Sequence, residues 1–138
     1  MTGKIHLSIV TPERRLLEAE VDEVVLPGEL GYFGVLPGHA PYLVRLKPGE
    51  ADYRAGREHL YLAIGGGFAE VHDDKVSVLA DCAERPEEIQ LAEAERQLAE
   101  ARRAMEAAAP DTLDEARVRL DRALIRVQVA QRADSSRD

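Results

Sequence analysis

The stretch KVSVLADCAERPEEIQLAEAERQLAEA, residues 75–101, contains the point at which the spacing of the apolar residues changes. At the start of this stretch every second residue is apolar, which is typical of a half-buried β-strand. From Leu91 onward the apolar residues recur at spacings of three and four, which is typical of an amphipathic helix. The sequence therefore predicts two segments, a β domain over residues 1–84 and a helical segment that begins at residue 85.

Alternation with period two recurs through the first segment. It appears in the runs KIHLSIV, LEAEVD, YLVRL, HLYLAI and KVSVLAD. Between these runs lie TPER, KPGE, RAGRE, GGG and HDDK, whose residues are typical of turns. No stretch supplies a helix that could connect parallel strands. We therefore expect antiparallel strands in a β-sandwich or flattened barrel.

Two helices with matching apolar faces are predicted over residues 85–133. Pro86 suits a first helical turn, and AAAPDTLDE interrupts the helical spacing. Thr112 and Glu115 have the spacing of a capping box, which predicts the start of the second helix. Because small alanines alternate with larger residues, this antiparallel hairpin buries little area, and we expect that it can leave its resting place. Residues 134–138 are predicted to be a disordered tail.

The composition argues against several classes of protein. The 138 residues carry a formal net charge of −8, which argues against general nucleic-acid binding. The single cysteine, Cys82, excludes an internal disulfide and a multi-cysteine zinc site, and we expect it to be a small buried residue. Because no apolar run has the length of a signal peptide or a membrane span, we expect no export by that route and no direct membrane insertion.

The glycine-rich stretch GELGYFGVLPGHAP, residues 28–41, resembles a phosphate-binding loop only superficially. It lacks the Gly-Lys-Ser/Thr sequence, and Pro37 and Pro41 prevent the helix that such a loop requires. We expect an ordered loop whose glycines allow positive φ or close contacts and which serves as a docking surface. Its expected anchors are Leu30, Phe33, Val35 and Leu36. The GGG run at 65–67 similarly predicts a bulge or a close backbone approach.

No catalytic, cofactor or metal site is expected. His39 is the best catalytic candidate, but the sequence offers it no orienting partner or nucleophile, which favours a structural or interface histidine. The other histidines, His6, His59 and His72, do not have the spacing of metal ligands. We therefore expect a chain that is not an enzyme on its own.

Three motifs carry a resemblance that covers nearly the whole chain. They are GVLPGHAP at 34–41, GGGFAEV at 65–71 and VSVLAD at 76–81, followed by an Ala-rich helical hairpin. In this order they resemble the epsilon subunit of bacterial F-type ATP synthase. The resemblance implies a β-sandwich followed by a two-helix domain, in agreement with the periodicity.

The resemblance also implies partners and a location. The subunit would sit in the central stalk of the rotor, bind the gamma subunit and rest on the ring of c subunits, on the cytoplasmic face of the bacterial inner membrane. It would thereby link proton translocation to ATP synthesis. The implied interface residues are His39 near gamma, and Glu29, Leu30, Tyr32 and Phe33 near the c ring. Many relatives have an acidic residue where this chain has Tyr32, which implies an apolar or hydrogen-bonded contact here.

The helical hairpin of the family can fold against the sandwich or extend and inhibit ATP hydrolysis. Arg119, Arg122 and Arg126 form a basic line on the second helix and would then meet an acidic segment of the beta subunit, next to alpha. Because Glu115 precedes Arg119 by four residues, an ordinary solvated helix face explains the same line. Both interpretations stay open.

Some relatives bind ATP on the folded hairpin through a motif of Ile or Leu, Asp, two variable residues, Arg and Ala. The matching stretch here is IQLAEA, residues 89–94, in which Gln90 replaces Asp and Glu93 replaces Arg. Arg122 and Arg126 match the arginines of the second helix. Because a carboxylate repels phosphate, we expect weak or no ATP binding.

Two other functions are compatible with the residues alone. One is a free-standing β-sandwich that binds a small ligand under a helical lid. The other is a hydrolase that uses His39. Binding of gamma and c subunits, saturable binding of a metabolite, and activity abolished by His39→Ala would distinguish the three.

Overall fold

The computed structural model describes residues 3–136, and the side chains as far as residue 133. Eight strands are followed by a single 3₁₀ turn, Pro86–Glu88, and two helices. The strands are β1 Ile5–Val10, β2 Arg15–Val21, β3 Glu23–Gly28, β4 Gly31–Val35, β5 Tyr42–Ala55, β6 Glu58–His72, β7 Lys75–Ala80 and β8 Ala83–Glu84. The helices are α1 Leu91–Ala107 and α2 Leu113–Ser136.

The strands form one sheet in the order β2-β1-β7-β6-β5-β3-β4, with β8 paired to β6. All the described pairs are antiparallel except β1 and β7, which are parallel, so the expectation of a purely antiparallel arrangement was wrong at this pair. The connection between them runs through the intervening strands and needs no helix. Strand β2 also contacts β5 across the core, because the sheet folds over into an open sandwich. The predicted fold class is confirmed.

The two longest strands pass through sequences that were predicted to be turns. KPGE at 47–50 lies inside β5, and GGG at 65–67 lies inside β6. At 65–67 the strand bends instead of ending, with φ of 110° at Gly66 and 133° at Gly67. A Cβ atom on Gly67 would lie 2.1 Å from the Leu79 carbonyl oxygen, so the close backbone approach expected there is confirmed.

The hairpin follows the predicted helical spacing, with corrections at its ends. Helix α1 begins at Leu91, because Pro86 starts only the 3₁₀ turn. The Thr112 hydroxyl does not form the predicted capping box. Instead, its oxygen accepts a hydrogen bond from the Ala109 backbone N–H at 3.1 Å. Backbone of residues 134–136 is helical, contrary to the predicted disordered tail, because no Pro or Gly ends α2 there; residues 137–138 of that tail lie outside the described residues.

The hairpin is folded against the sandwich. Within the hairpin the apolar faces meet at Leu98, Ala101 and Ala123. A second small cluster joins α1 and α2 to β6 and to the segment after the 3₁₀ turn, and it consists of Ala63, Ile89, Ala94, Val129 and Ala130. Among residues 3–136, neither helix is long and apolar enough to cross a membrane. The residues predicted as interface contacts lie at the β3–β4 end of the sandwich and on α2.

Candidate docking loop and hairpin interface

The docking loop, defined here as residues 28–41, presents apolar side chains to solvent. At the turn between β3 and β4 the exposed fraction of Leu30 is 93%, and that of Tyr32 is 53%. The turn is nevertheless well fixed, because five residue pairs join β3 to β4. Gly31 and Gly38 have positive φ, as expected for a loop shaped by glycine. Of the predicted anchors, Val35 is buried and Phe33 is half-buried, whereas Leu30 and Leu36 are exposed and were wrongly assigned.

His39 lies beside the predicted interface residues. Its Nδ1 is 2.6 Å from the Ala40 carbonyl oxygen, to which it donates. The rings of Phe33 and His39 both lie near Tyr42, at centroid distances of 5.2 and 6.3 Å. The structure thus brings Phe33 and His39 together around one tyrosine, and places the exposed Glu29 and Leu30 farther out at the turn.

An exposed apolar stripe on the sheet was not found from the sequence. Leu79, Phe68 and Arg45 are neighbours on three paired strands, and Leu43 lies two residues before Arg45. The exposed fractions are 61% for Leu79, 45% for Phe68 and 70% for Leu43. The Arg45 guanidinium lies 5.0 Å from the Phe68 ring centroid and 3.8 Å from Glu29, which connects the stripe to the docking loop. The signal was available, because these residues occupy the outward positions of alternating strands.

The three predicted arginines of α2 do lie along one side of the helix, but they differ in their contacts. Arg126 pairs with the Glu84 carboxylate at 2.7 and 3.1 Å and also contacts Gln97. Arg122 donates from Nε to the Gly65 carbonyl oxygen at 2.8 Å and approaches Asp81 at 3.5 Å. Arg119 is more exposed and lies 3.8 Å from Glu100 of α1. In the folded state two of the three therefore hold α2 against β6 and the β7–β8 segment.

A buried carboxylate anchors the other end of α2 and was missed. Glu50 of β5 is 6% exposed and accepts from Arg132 at 2.5 and 3.1 Å and from Gln128 at 3.2 Å. The Arg132 guanidinium also lies 3.9 Å from the centre of the Tyr61 ring. Hydrogen bonding to Glu50 raises the pKa of Arg132 above its usual value. A glutamate in the predicted KPGE turn gave no reason to expect burial.

Of the two residues that depart from the ATP motif, Glu93 is paired within the hairpin. Glu93 pairs with Arg96 of the next helical turn, and Gln90 is the exposed residue that precedes α1. The Arg126 guanidinium is already paired with the Glu84 carboxylate. A phosphate would have to displace Glu84 and approach Glu93, which is unfavourable on both counts.

Cys82 is exposed, which corrects the expectation of a buried residue. It lies where the chain turns from β7 to β8, and its Sγ is so close to Gly65 that a Cβ on that glycine would lie 2.1 Å away. The small residues here allow β6 to exchange its partner β7 for β8.

The chain combines a β-sandwich that has an exposed β3–β4 turn with a helical hairpin folded against the sandwich. Residues 4–86 match the family described as "ATP synthase, Delta/Epsilon chain, beta-sandwich domain". The chain is 44% identical to the ATP synthase epsilon chain of Geobacter metallireducens, covering 94% of this chain and 96% of that protein. It is 45% identical to ATP synthase epsilon chain 2 of Syntrophotalea carbinolica, covering 96% and 97%. The chain therefore belongs to the ATP synthase epsilon chain family.

The fold agrees with this assignment. A solved chain from the mitochondrial ATP synthase of Euglena gracilis superposes with a TM-score of 0.81 at 24% identity, covering 95% of this chain and 83% of that chain. At this identity the likeness concerns the fold alone. The superposition covers 95% of this chain and therefore includes both the sandwich and the hairpin.

Proposed function

We propose that this chain is a non-catalytic subunit in the central stalk of a bacterial F-type ATP synthase. It links the gamma subunit to the c ring and so couples proton translocation to ATP synthesis. As part of that complex it lies at the cytoplasmic face of the inner membrane without inserting into it. The observation that carries the proposal is the docking loop, which presents Leu30 at 93% exposure on a turn held by paired strands. Leu30, Tyr32 and Leu36 are all exposed on this loop, and clustered exposed apolar side chains are typical of surfaces that a partner covers.

Within the docking loop we assign two contacts. Glu29, Leu30, Tyr32 and Phe33 at the β3–β4 turn face the c ring, and His39 beside Tyr42 faces gamma. The contact at Tyr32 is apolar or hydrogen-bonded, since the side chain is an uncharged phenol.

Replacement of Leu30 by glutamate tests the docking assignment. A charge at the centre of an apolar contact typically costs about 2 kcal/mol or more, so we expect binding to a purified gamma and c-ring subcomplex to weaken at least about tenfold. Leu60→Glu is a matched control, because Leu60 is an exposed apolar residue near the far end of β6, opposite Tyr53. Equal loss of binding in both variants, or none in Leu30→Glu, contradicts the assignment.

The hairpin is proposed to regulate the complex by leaving the sandwich and inhibiting ATP hydrolysis. Arg119, Arg122 and Arg126 then contact an acidic segment of the beta subunit, close to alpha. In the folded state Arg126 pairs with Glu84 and Arg122 pairs with Asp81. Contact with the beta subunit would therefore require these arginines to leave their partners in the sandwich segment. We expect the triple alanine variant to lose inhibition of reconstituted ATPase. Unchanged inhibition contradicts this role for the arginines.

The regulatory signal is proposed to come from partner contacts or rotor position rather than from ATP. A ligand shifts the hairpin only by its different affinity for the two states, and the pairing of Arg126 with Glu84 disfavours a phosphate there. Calorimetric titration of the chain with ATP should show no binding at micromolar concentration. Micromolar affinity would overturn this part of the proposal.

A further inference from the structure

The docking loop and the end of α2 meet at one residue, Glu50. The Glu50 backbone N–H donates to the Tyr32 hydroxyl oxygen at 3.1 Å. The Glu50 carboxylate accepts from Arg132 and Gln128 of α2, as described above. The loop therefore holds the main chain of Glu50, and the helix holds its side chain.

The strand register explains why Glu50 depends on Tyr32. Val25 of β3 pairs with Asp52, whereas Gly28 pairs with Leu46, so residues 47–51 have no described pairing partner on β3. A buried backbone N–H needs an acceptor, and the Tyr32 hydroxyl supplies it. The approach requires a glycine at position 49, where a Cβ would lie 2.7 Å from the Tyr32 hydroxyl oxygen and 2.4 Å from Pro27 Cβ.

The burial of Glu50 explains why it depends on α2. A carboxylate that is 6% exposed is costly unless it is paired and hydrogen-bonded. The described hydrogen bonds to this carboxylate all come from α2. When α2 leaves, water can reach Glu50, and segment 47–51 loses the contact that fixes its side chain.

We propose that Tyr32 and Glu50 transmit the state of the docking loop to the hairpin. With Tyr32 bonded to Glu50, segment 47–51 is held where the carboxylate meets Arg132, and α2 stays folded. A partner that draws the Tyr32 side chain toward itself removes this support and favours release of α2. The proposal rests on the proposed function only for the identity of that partner, and the link itself belongs to the isolated chain.

The link is tested by hydrogen exchange of the isolated full-length chain. Tyr32→Phe removes the acceptor hydroxyl and keeps the ring, and we expect exchange in α2 residues 120–133 to become about three- to tenfold faster, while β1 keeps its protection. Glu50→Gln should accelerate the same residues at least as much. In the Glu50→Gln background, Tyr32→Phe should add little, because the two residues act as one unit.

Tyr42→Phe is the matched control, since Tyr42 is an exposed tyrosine beside the same loop whose ring, not its hydroxyl, makes the described contacts. It should leave α2 exchange unchanged. Because coupling is reciprocal, Arg132→Met should in turn accelerate exchange at residues 47–51, and this arm stays informative if Tyr32→Phe disturbs the sandwich. Independent effects of Tyr32→Phe and Glu50→Gln, or no effect of Arg132→Met on 47–51, overturn the link.

The outcome is separable from the proposed function. Failure of Leu30→Glu to weaken binding would remove the docking assignment and leave the exchange result intact. Independent effects of Tyr32→Phe and Glu50→Gln on hydrogen exchange would rule out the link and leave the docking assignment intact.

Discussion

The sandwich and the hairpin are stabilised in different ways. The sandwich core is filled by large branched side chains with almost no exposure, among them Ile5, Leu7, Ile9, Leu26 and Ile64. The clusters of the hairpin consist mainly of alanine. Because stabilisation by burial grows with apolar area, we expect the sandwich to be the more stable part and the hairpin to detach more easily.

Polar contacts supply part of what the hairpin interface lacks in apolar area. Arg122, Arg126 and Arg132 each reach an oxygen of the sandwich segment, and Arg14 of the β1–β2 connection pairs with Glu88 of the 3₁₀ turn. Such contacts depend on both partners and are weakened by salt and by competing acids. The proposed release of the hairpin would exchange these carboxylates for those of a partner.

The largest effect is expected for a cavity in the sandwich core. Leu7→Ala should lower the free energy of unfolding by about 3 kcal/mol, since Leu7 is fully buried among strands. Urea denaturation of the full chain measures this. A decrease in the free energy of unfolding of less than about 1 kcal/mol would mean that the sandwich core is not tightly packed.

A smaller and more local effect is expected at the hairpin. Arg126→Ala removes the paired hydrogen bonds to Glu84 and should destabilise the folded hairpin, relative to its open state, by about 1 kcal/mol. This corresponds to roughly fivefold faster hydrogen exchange in α2. The urea midpoint of the sandwich should not change. Arg119→Ala is the control, because its described ion pair is a single long contact with Glu100. Equal effects of the two variants would contradict the distinction among the arginines.

The smallest effect concerns pH and the edge of the sandwich. Hydrogen bonds from His6 to Glu20 and Glu18 raise the pKa of His6 above its usual value. The protonated histidine thus stabilises the fold below about pH 6.5, and this contribution is lost as the pH rises through the folded pKa. Wild-type stability should fall slightly more between pH 6 and pH 8 than that of His6→Gln. An NMR titration of His6 with a pKa at or below 6.5 would contradict it.

The sequence predicts the architecture better than the contacts. The change of period near residue 85 identifies both segments, because alternation and helical spacing follow directly from backbone geometry. The parallel pairing of β1 with β7 and the passage of β5 through KPGE depend on contacts between residues distant in sequence, which local patterns do not contain. The same holds for Glu50, whose burial depends on a helix some eighty residues later. Glycine-rich sequences indicate turns on average, yet GGG here serves close packing against Leu79.

The positions of the proposed interface residues in the fold were partly predictable. The arginine line on α2 follows from helical spacing, and the family resemblance indicates the docking loop. Which arginines are already paired could not be predicted, because Glu84 and Gly65 reach α2 only in the folded chain.

The central claim is that the sandwich docks and the hairpin regulates, and truncation of the chain after residue 85 tests it most directly. The assembled ATP synthase carrying the truncated chain should still synthesise ATP, while its rate of ATP hydrolysis rises. Failure of the complex to assemble, or an unchanged rate of hydrolysis in an assembled complex, would contradict the account.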